Sequence, residues 1–303
     1  YNINTLNKCS QECKGILLHN KTGIESKLEL ENNMCLHLCN QHYVDKYDIP
    51  FDCALRQQDY FKIFNFRNNN GLTLLMTAMY TCNGALLSQL LLCCHQSFIE
   101  IKDNDGCTAL IHGCITGYTD GIIRLLEYGA SVDVTDKDGC TPLMYACGCG
   151  KSYESNILLL LKFGANPFIL DKFGQNALIY ALHGGNPNIC ALLVSRQINV
   201  HVMNSAGCTT LHLACANNDK DLAVSLIWRG LDLFQSNYNG ENCFDKCYSI
   251  TVKTAVIRAW IRRYFIQVSI LNYNKTELKD MRRFLKDMYT NYKHIWKKII
   301  LYL

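Results

Sequence analysis

The chain has 303 residues, 49% of them hydrophobic and 18% charged, which excludes general disorder. With 4 prolines and 19 glycines it is neither collagen-like nor low-complexity, and no apolar run approaches the ~20 residues of a membrane-spanning helix. The net charge of +4 is unevenly placed: residues 1–250 hold 18 Lys and Arg against 23 Asp and Glu, and residues 251–303 hold 12 against 3.

Residues 1–24 have no assignable pattern. Cys9 and Cys13 lie four apart, as do Cys35 and Cys39, with His37 and His42 close by. Two such thiol pairs on helix faces could meet around zinc, which needs about four ligands in tetrahedral geometry. No Cys-x-x-Cys occurs, so the expectation is no metal and no cofactor.

A repeat follows. Glycines in a polar turn context stand at 71, 106, 139, 174, 207 and 240, at intervals of 35, 33, 35, 33 and 33. Each closes a run such as Asp103-Asn104-Asp105 or Asp136-Lys137-Asp138, the residue types of tight turns. Two residues on comes Thr or Asn before an apolar pair, as in Thr108-Ala109-Leu110, Thr141-Pro142-Leu143 and Thr209-Thr210-Leu211. Thr before Pro predicts a helix N-cap with Pro at the first helical position. A second apolar stretch, such as residues 157–161, predicts a second helix ending at Gly129, Gly164 or Gly230. The fourth unit has Asn176 for Thr and Gln197 for the closing glycine, and the third has two extra residues between its helices.

The segments DKDGCTPLMYACGCGKSYESNILLLLKFGANPF and NSAGCTTLHLACANNDKDLAVSLIWRGLDL resemble ankyrin repeats. Six units at residues 68–268 carry the pattern, and Asn32 to Cys39 echoes it, so residues 25–67 of the N-terminal segment 1–67 read as a degenerate capping repeat. The resemblance implies an all-α fold: a solenoid of stacked helix–turn–helix units with projecting β-hairpin turns, whose concave face binds other proteins. Cys107, Cys140 and Cys208 follow the turn glycine, and Cys114, Cys147 and Cys215 take the small-residue place inside the helix. Cysteine there is a small buried hydrophobe, and thiols reused for packing point to a reducing, intracellular compartment, cytoplasmic or nuclear.

No phosphate loop, Gly-x-Ser-x-Gly or His-Glu-x-x-His is present, so no catalytic residues and no enzyme are expected. In a stack of repeats the inner-helix position four past the N-cap stays open. It holds Thr77, His112, Tyr145, Tyr180, Leu213 and Lys246. His112, Tyr145, Tyr180 and Leu213 are the candidate partner-binding residues, since rings anchor binding hot spots, although they could equally pack between helices. Asp103, Asp105, Asp136, Asp138 and Asp171 form a candidate acidic ridge on the turns, or merely solvate them.

Residues 251–266 would be the outer helix of the last repeat. Within it, residues 256–265 faintly resemble an IQ motif for calmodulin-like proteins, with Arg258 and Arg263 in place of its Gln and Gly. In the linker and basic helix of residues 269–303, Leu278, Met281, Leu285, Met288, Tyr292, Ile295, Ile299 and Tyr302 are spaced as a heptad seam, with Thr276 as N-cap. That amphipathic helix either caps the last repeat or meets a second partner or an anionic surface. Charge alone suggests nucleic acid, but no binding motif supports it. The leading expectation is a non-enzymatic protein-interaction module. The alternatives are an adaptor whose basic helix recruits a calmodulin-like or ubiquitin-ligase component, and a regulatory fragment of a larger enzyme or channel.

Overall fold

A computed structural model describes residues 64–93, 95–150 and 153–271, together with Lys286 and Thr290. The N-terminal cysteine pairs, nearly all of the capping repeat at 25–67 and nearly all of the basic helix at 276–303 lie outside the described residues. The chain divides into two compact units, Tyr1–Ser131 and Val132–Leu303.

In the first unit the helices are α1 (Leu74–Tyr80), α2 (Gly84–Cys93), α3 (Ala109–Thr116) and α4 (Thr119–Glu127). In the second they are α5 (Pro142–Gly148), α6 (Glu154–Lys162), α7 (Ala177–Gly184), α8 (Pro187–Ser195), α9 (Thr210–Ala216), α10 (Lys220–Trp228), α11 (Cys243–Lys246) and α12 (Ile250–Leu271). Each successive pair is one repeat. The last helix runs three residues past the boundary expected at 268. Inner helix packs on inner helix, α1 on α3 in one unit and α5 on α7, α7 on α9 and α9 on α11 in the other. Outer helix α12 packs on α10. Among the described residues there is no β-strand, only an antiparallel bridge between Met203 and Thr209.

The inner helices are seven or eight residues long except α11, too short to persist alone in water. Packing on both sides holds them. In α7, Ala177, Leu178, Ile179, Ala181 and Leu182 are buried and Tyr180 between them is not. The same pattern in α3, α5 and α9 buries Cys114, Cys147 and Cys215, while Cys107, Cys140 and Cys208 are buried behind the turns. A large apolar side chain buried this way is worth about 1.5–3 kcal/mol, so a few per helix offset the ordering of the segment.

The caps follow the sequence. Thr141 Oγ1 accepts from Met144 N with Pro142 behind it, and Thr73 and Thr209 cap α1 and α9 in the same way. Asn176, the departure in the fourth repeat, caps α7 with Oδ1 and donates Nδ2 to Asn199 O at 2.8 Å. Thr108 sits at the cap of α3 without a side-chain cap bond. Gly129, Gly164 and Gly230 close the outer helices at φ of 95°, 90° and 103°. Gln197 takes the same left-handed conformation at φ 61° with a side chain attached.

Guanidinium groups join successive outer helices. Arg229 Nη2 donates to Val194 O in the last turn of α8 at 2.7 Å, and Arg263 Nη1 donates to Ile227 O in the last turn of α10 at 3.0 Å. Each adds a second kind of donor to a carbonyl that already accepts from the backbone just beyond its helix, Gln197 N on Val194 O and Gly230 N on Ile227 O, and sets a positive charge at the negative end of the helix dipole.

Candidate functional site

The turns before the inner helices are built on one side chain each. Asp103 Oδ1 accepts from Asp105 N and Cys107 N at 2.9 and 2.8 Å. Asp136, Asp171, Asn204 and Asn237 hold their own turns by the same two bonds. Neighbouring turns are tied by backbone bonds, from Asn104 N to Asn70 O in the first unit and from Lys172 N to Asp138 O in the second. Gly207 shows why glycine stands here. Its φ is 73°, and a Cβ at that position would lie 2.7 Å from the ring of Tyr238.

The second carboxylate oxygen faces the inner helix. His112 Nε2 lies 2.7 Å from Asp103 Oδ2. Tyr145 OH donates to Asp136 Oδ2 at 2.6 Å, and Tyr180 OH donates to Asp171 Oδ2 at 2.9 Å. The ring is nine residues after its carboxylate each time, so these candidate residues brace the turns of their own repeats. His112 Nε2 and the two phenol oxygens are occupied by these bonds, and the three residues are half-buried. With its proton directed at Asp171, the Tyr180 oxygen is left to accept from the Cys140 thiol, 3.1 Å away. Burial first, then the bonds to Cys140 and Asp171, pushes the Tyr180 phenol far above its ordinary value. Burial also pushes the Cys140 thiol up. Both groups are neutral donors near pH 7, not nucleophiles.

Further along the second unit the position changes character. Leu213 is half-buried and apolar. Lys246 pairs with Glu241 at 2.7 Å, and Asn237 Nδ2 donates to the same Glu241 oxygen at 2.9 Å. In the first unit, exposed Tyr80 meets His112 edge-on at 6.3 Å between ring centroids.

Of the five acidic candidates, Asp105 and Asp138 are exposed, Asp136 is half-buried, and Asp103 and Asp171 are buried. The three inward carboxylates are engaged in the turns, so the outward acidic surface is Asp105 and Asp138. Asp138 is 3.9 Å from Lys172 with both side chains well exposed, a pairing of little energetic weight.

The sequence reading passed over Phe173 and Tyr238, 62% and 76% exposed at the turns of the fourth and sixth repeats. Phe173 stands where Asp105 and Asp138 stand in earlier repeats, so aligning the turns by their glycines would have exposed the change. In the IQ-like stretch, Arg263 is engaged with Ile227 and the Trp260 and Tyr264 rings stack at 5.6 Å. One cation of that stretch is therefore a helix cap. Among the described residues no group of three or more His, Cys, Asp or Glu is arranged to hold a metal ion, and no helix is long and apolar enough to cross a membrane.

The family model described as ankyrin repeats, three copies, matches residues 32–136, 75–154 and 151–237. These spans together cover about two-thirds of the chain. A 66-residue stretch is 35% identical to a BTB/POZ domain and ankyrin repeat-containing protein, NPR3, of Oryza sativa subsp. japonica. That match covers 22% of this chain and 11% of the relative, so the chain answers to a small part of that protein's length. Ankyrin repeats are general protein–protein interaction modules and typically carry no catalysis. The chain belongs to the ankyrin-repeat family.

Proposed function

We propose that the chain is a non-enzymatic interaction module that binds a protein partner on its inner-helix face, the concave face of the family. The observation carrying this reading is the state of Tyr145 and Tyr180. Each hydroxyl is anchored on a turn carboxylate, so each ring is fixed while its residue stays partly exposed. A fixed ring loses little rotamer entropy when a partner covers it, which is how preorganisation raises affinity. Leu213 continues the stripe as an apolar contact, and Asp105, Asp138, Phe173 and Tyr238 present charge and aromatic surface on the turns.

A photo-crosslinking residue at Leu213 in the full chain should trap a partner protein in cells, and the same residue at exposed Lys162 on α6 should trap less of it. Replacing Tyr145 and Tyr180 with Leu should then cut capture at Leu213 by tenfold or more, the ~1.4 kcal/mol or more that hot-spot rings supply. Equal capture from both positions, or capture indifferent to the two tyrosines, removes the inner-helix face as the site.

A further inference from the structure

A second feature of the Val132–Leu303 unit lies away from the tyrosines, where the outer helices α8 and α10 begin. Two adjoining clefts of about 410 and 440 Å³ share Pro187, Asp219 and Asp221 as lining. The first is walled by the turns before α8 and α10, with Asn186, Asn217 and Lys220 on its sides. The second runs down between the helices over Ala191, Val194 and Leu222 to Arg229. Together they form a groove with a polar head and a partly apolar floor.

Asn186 gives the groove its chemistry. It is 1% exposed, and its Oδ1 caps α8 by accepting from Ile189 N at 3.3 Å. The cap fixes the orientation of the amide, because a flipped side chain would set two donors against each other. Asn186 lines the first cleft, and its Nδ2 is therefore left as a donor that is buried without a hydrogen-bond partner. A buried amide donor left open costs about 1–3 kcal/mol, so the site calls for an acceptor. One repeat further, at the same capping position, stands Asp219, whose Oδ1 accepts from Leu222 N at 3.1 Å and whose Oδ2 makes no such bond. Asp221 beside it is 96% exposed, and its one cation, Lys220, is 4.0 Å away and itself 57% exposed.

The head of the groove thus offers one buried neutral donor and, a repeat away, two carboxylates facing one lysine. An inorganic anion fits badly, since the carboxylates outnumber the lysine. A peptide main chain supplies the carbonyl that Asn186 lacks, and a lysine or arginine on the same strand supplies the cation. Packed helices lie about 8–10 Å apart, and an extended chain advances about 3.3 Å per residue, so roughly three residues span the two capping positions. We propose that this groove binds an extended segment of a partner protein, with a backbone carbonyl on Asn186 Nδ2 and a basic side chain about three residues away on Asp219 and Asp221.

The probe is a phage-displayed library of random heptapeptides panned on the full chain, with selected peptides titrated against wild type and against Asn186→Ser and Asp219→Asn. Both replacements keep a side-chain oxygen to cap the helix, and a thermal melt checks that each variant folds. The selected peptides should carry Lys or Arg, and both variants should weaken binding by tenfold or more. Binding should also fall between ~0.01 M and ~1 M salt, where the screening length drops from ~30 to ~3 Å. Peptides without basic residues, or affinities unmoved by Asn186→Ser, overturn the proposal; the second result would mean that water satisfies the amide. Tighter peptide binding after Lys297→Glu and Lys298→Glu in the full chain overturns it too, because the chain's own basic segment would then be the occupant. Asn186 and Asp219 precede outer helices while Tyr145 and Tyr180 sit on inner ones, so either surface can fail without the other.

Discussion

Replacing Tyr180 with Phe removes one oxygen atom and leaves the ring face unchanged. In the folded chain that oxygen donates to Asp171 Oδ2 at 2.9 Å, and Asp171 is only 6% exposed. Without it a buried carboxylate oxygen loses its donor, and water has little access to replace it. A hydrogen bond to a charged group contributes about 1.5–3 kcal/mol, which is the loss expected. The matching change at Tyr145 removes a 2.6 Å bond to Asp136, but that carboxylate is half-buried and water can take over, so about 1 kcal/mol is expected there. Urea unfolding of the full chain measures both, and a double-mutant cycle of Tyr180→Phe with Asp171→Asn isolates the coupling. Alkali supplies a second readout. An unfolded tyrosine gives up its proton as pH rises through 10.0, whereas burial holds the folded Tyr180 proton well beyond that. Stability from this group is therefore complete below about pH 10 and falls above it, by up to ~1.4 kcal/mol per pH unit. Wild type should lose its advantage over Tyr180→Phe in that range. A Tyr180→Phe chain within ~0.3 kcal/mol of wild type at pH 7 would refute the bracing role, because the predicted loss is several times larger.

Gln197 holds φ 61° where three other outer helices close on glycine, so Gln197→Gly should raise stability by up to about 1 kcal/mol in urea. Arg263→Met keeps the stem but loses the bond to Ile227 O, and should lower stability by about 0.5–1.5 kcal/mol and speed hydrogen exchange at the end of α10. Burial pushes the His212 imidazole below its ordinary 6.5, with its Nε2 3.1 Å from Glu241 O and its Nδ1 accepting from Thr209 N. Because the unfolded state takes up the proton first, this contribution is complete above about pH 6.5 and lost as pH falls below it; an NMR titration of the His212 ring should show no change until pH is under 6.5.

The helices were legible because ankyrin repeats restate their own grammar. The turn glycines, the cap at Thr141 with Pro142 and the small residue at Cys147 each recur at a fixed interval, so one clear repeat reads the others. Asn176 and Asn242 cap α7 and α11 although neither is threonine, since an amide oxygen meets the same backbone donors. What could not be read was where a side chain's second polar atom goes. The nine-residue offset from Asp103 to His112, Asp136 to Tyr145 and Asp171 to Tyr180 was in the sequence, yet the carboxylates read as an acidic ridge or turn solvation, and the rings as anchors or as packing between helices. Only the fold shows that the turn bends each carboxylate back over the first turns of its helix. Arg263 misled for a related reason. Its partner is a carbonyl 36 residues earlier, and main-chain acceptors leave no trace in composition.

The paired carboxylate and ring also bear on what the proposed inner-helix site would recognise. Tyr145 and Tyr180 have their hydroxyls committed, so a partner meets aromatic carbon and receives no phenolic proton. Leu213 adds apolar surface, and at the next position the Lys246 ammonium is already matched by Glu241. The stripe in the second unit therefore runs from aromatic to aliphatic to an internally neutralised ion pair. It rewards a partner that buries apolar groups against the two rings, and it gives little to one that depends on charge. The two carboxylates of the turn ridge that are open to solvent, Asp105 and Asp138, stand on the turns instead, apart from the stripe. On the proposed reading, specificity by charge and affinity by ring burial fall on different parts of the repeat. Substitution at Asp138 should then alter the salt dependence of association, and substitution at Tyr180 its lifetime.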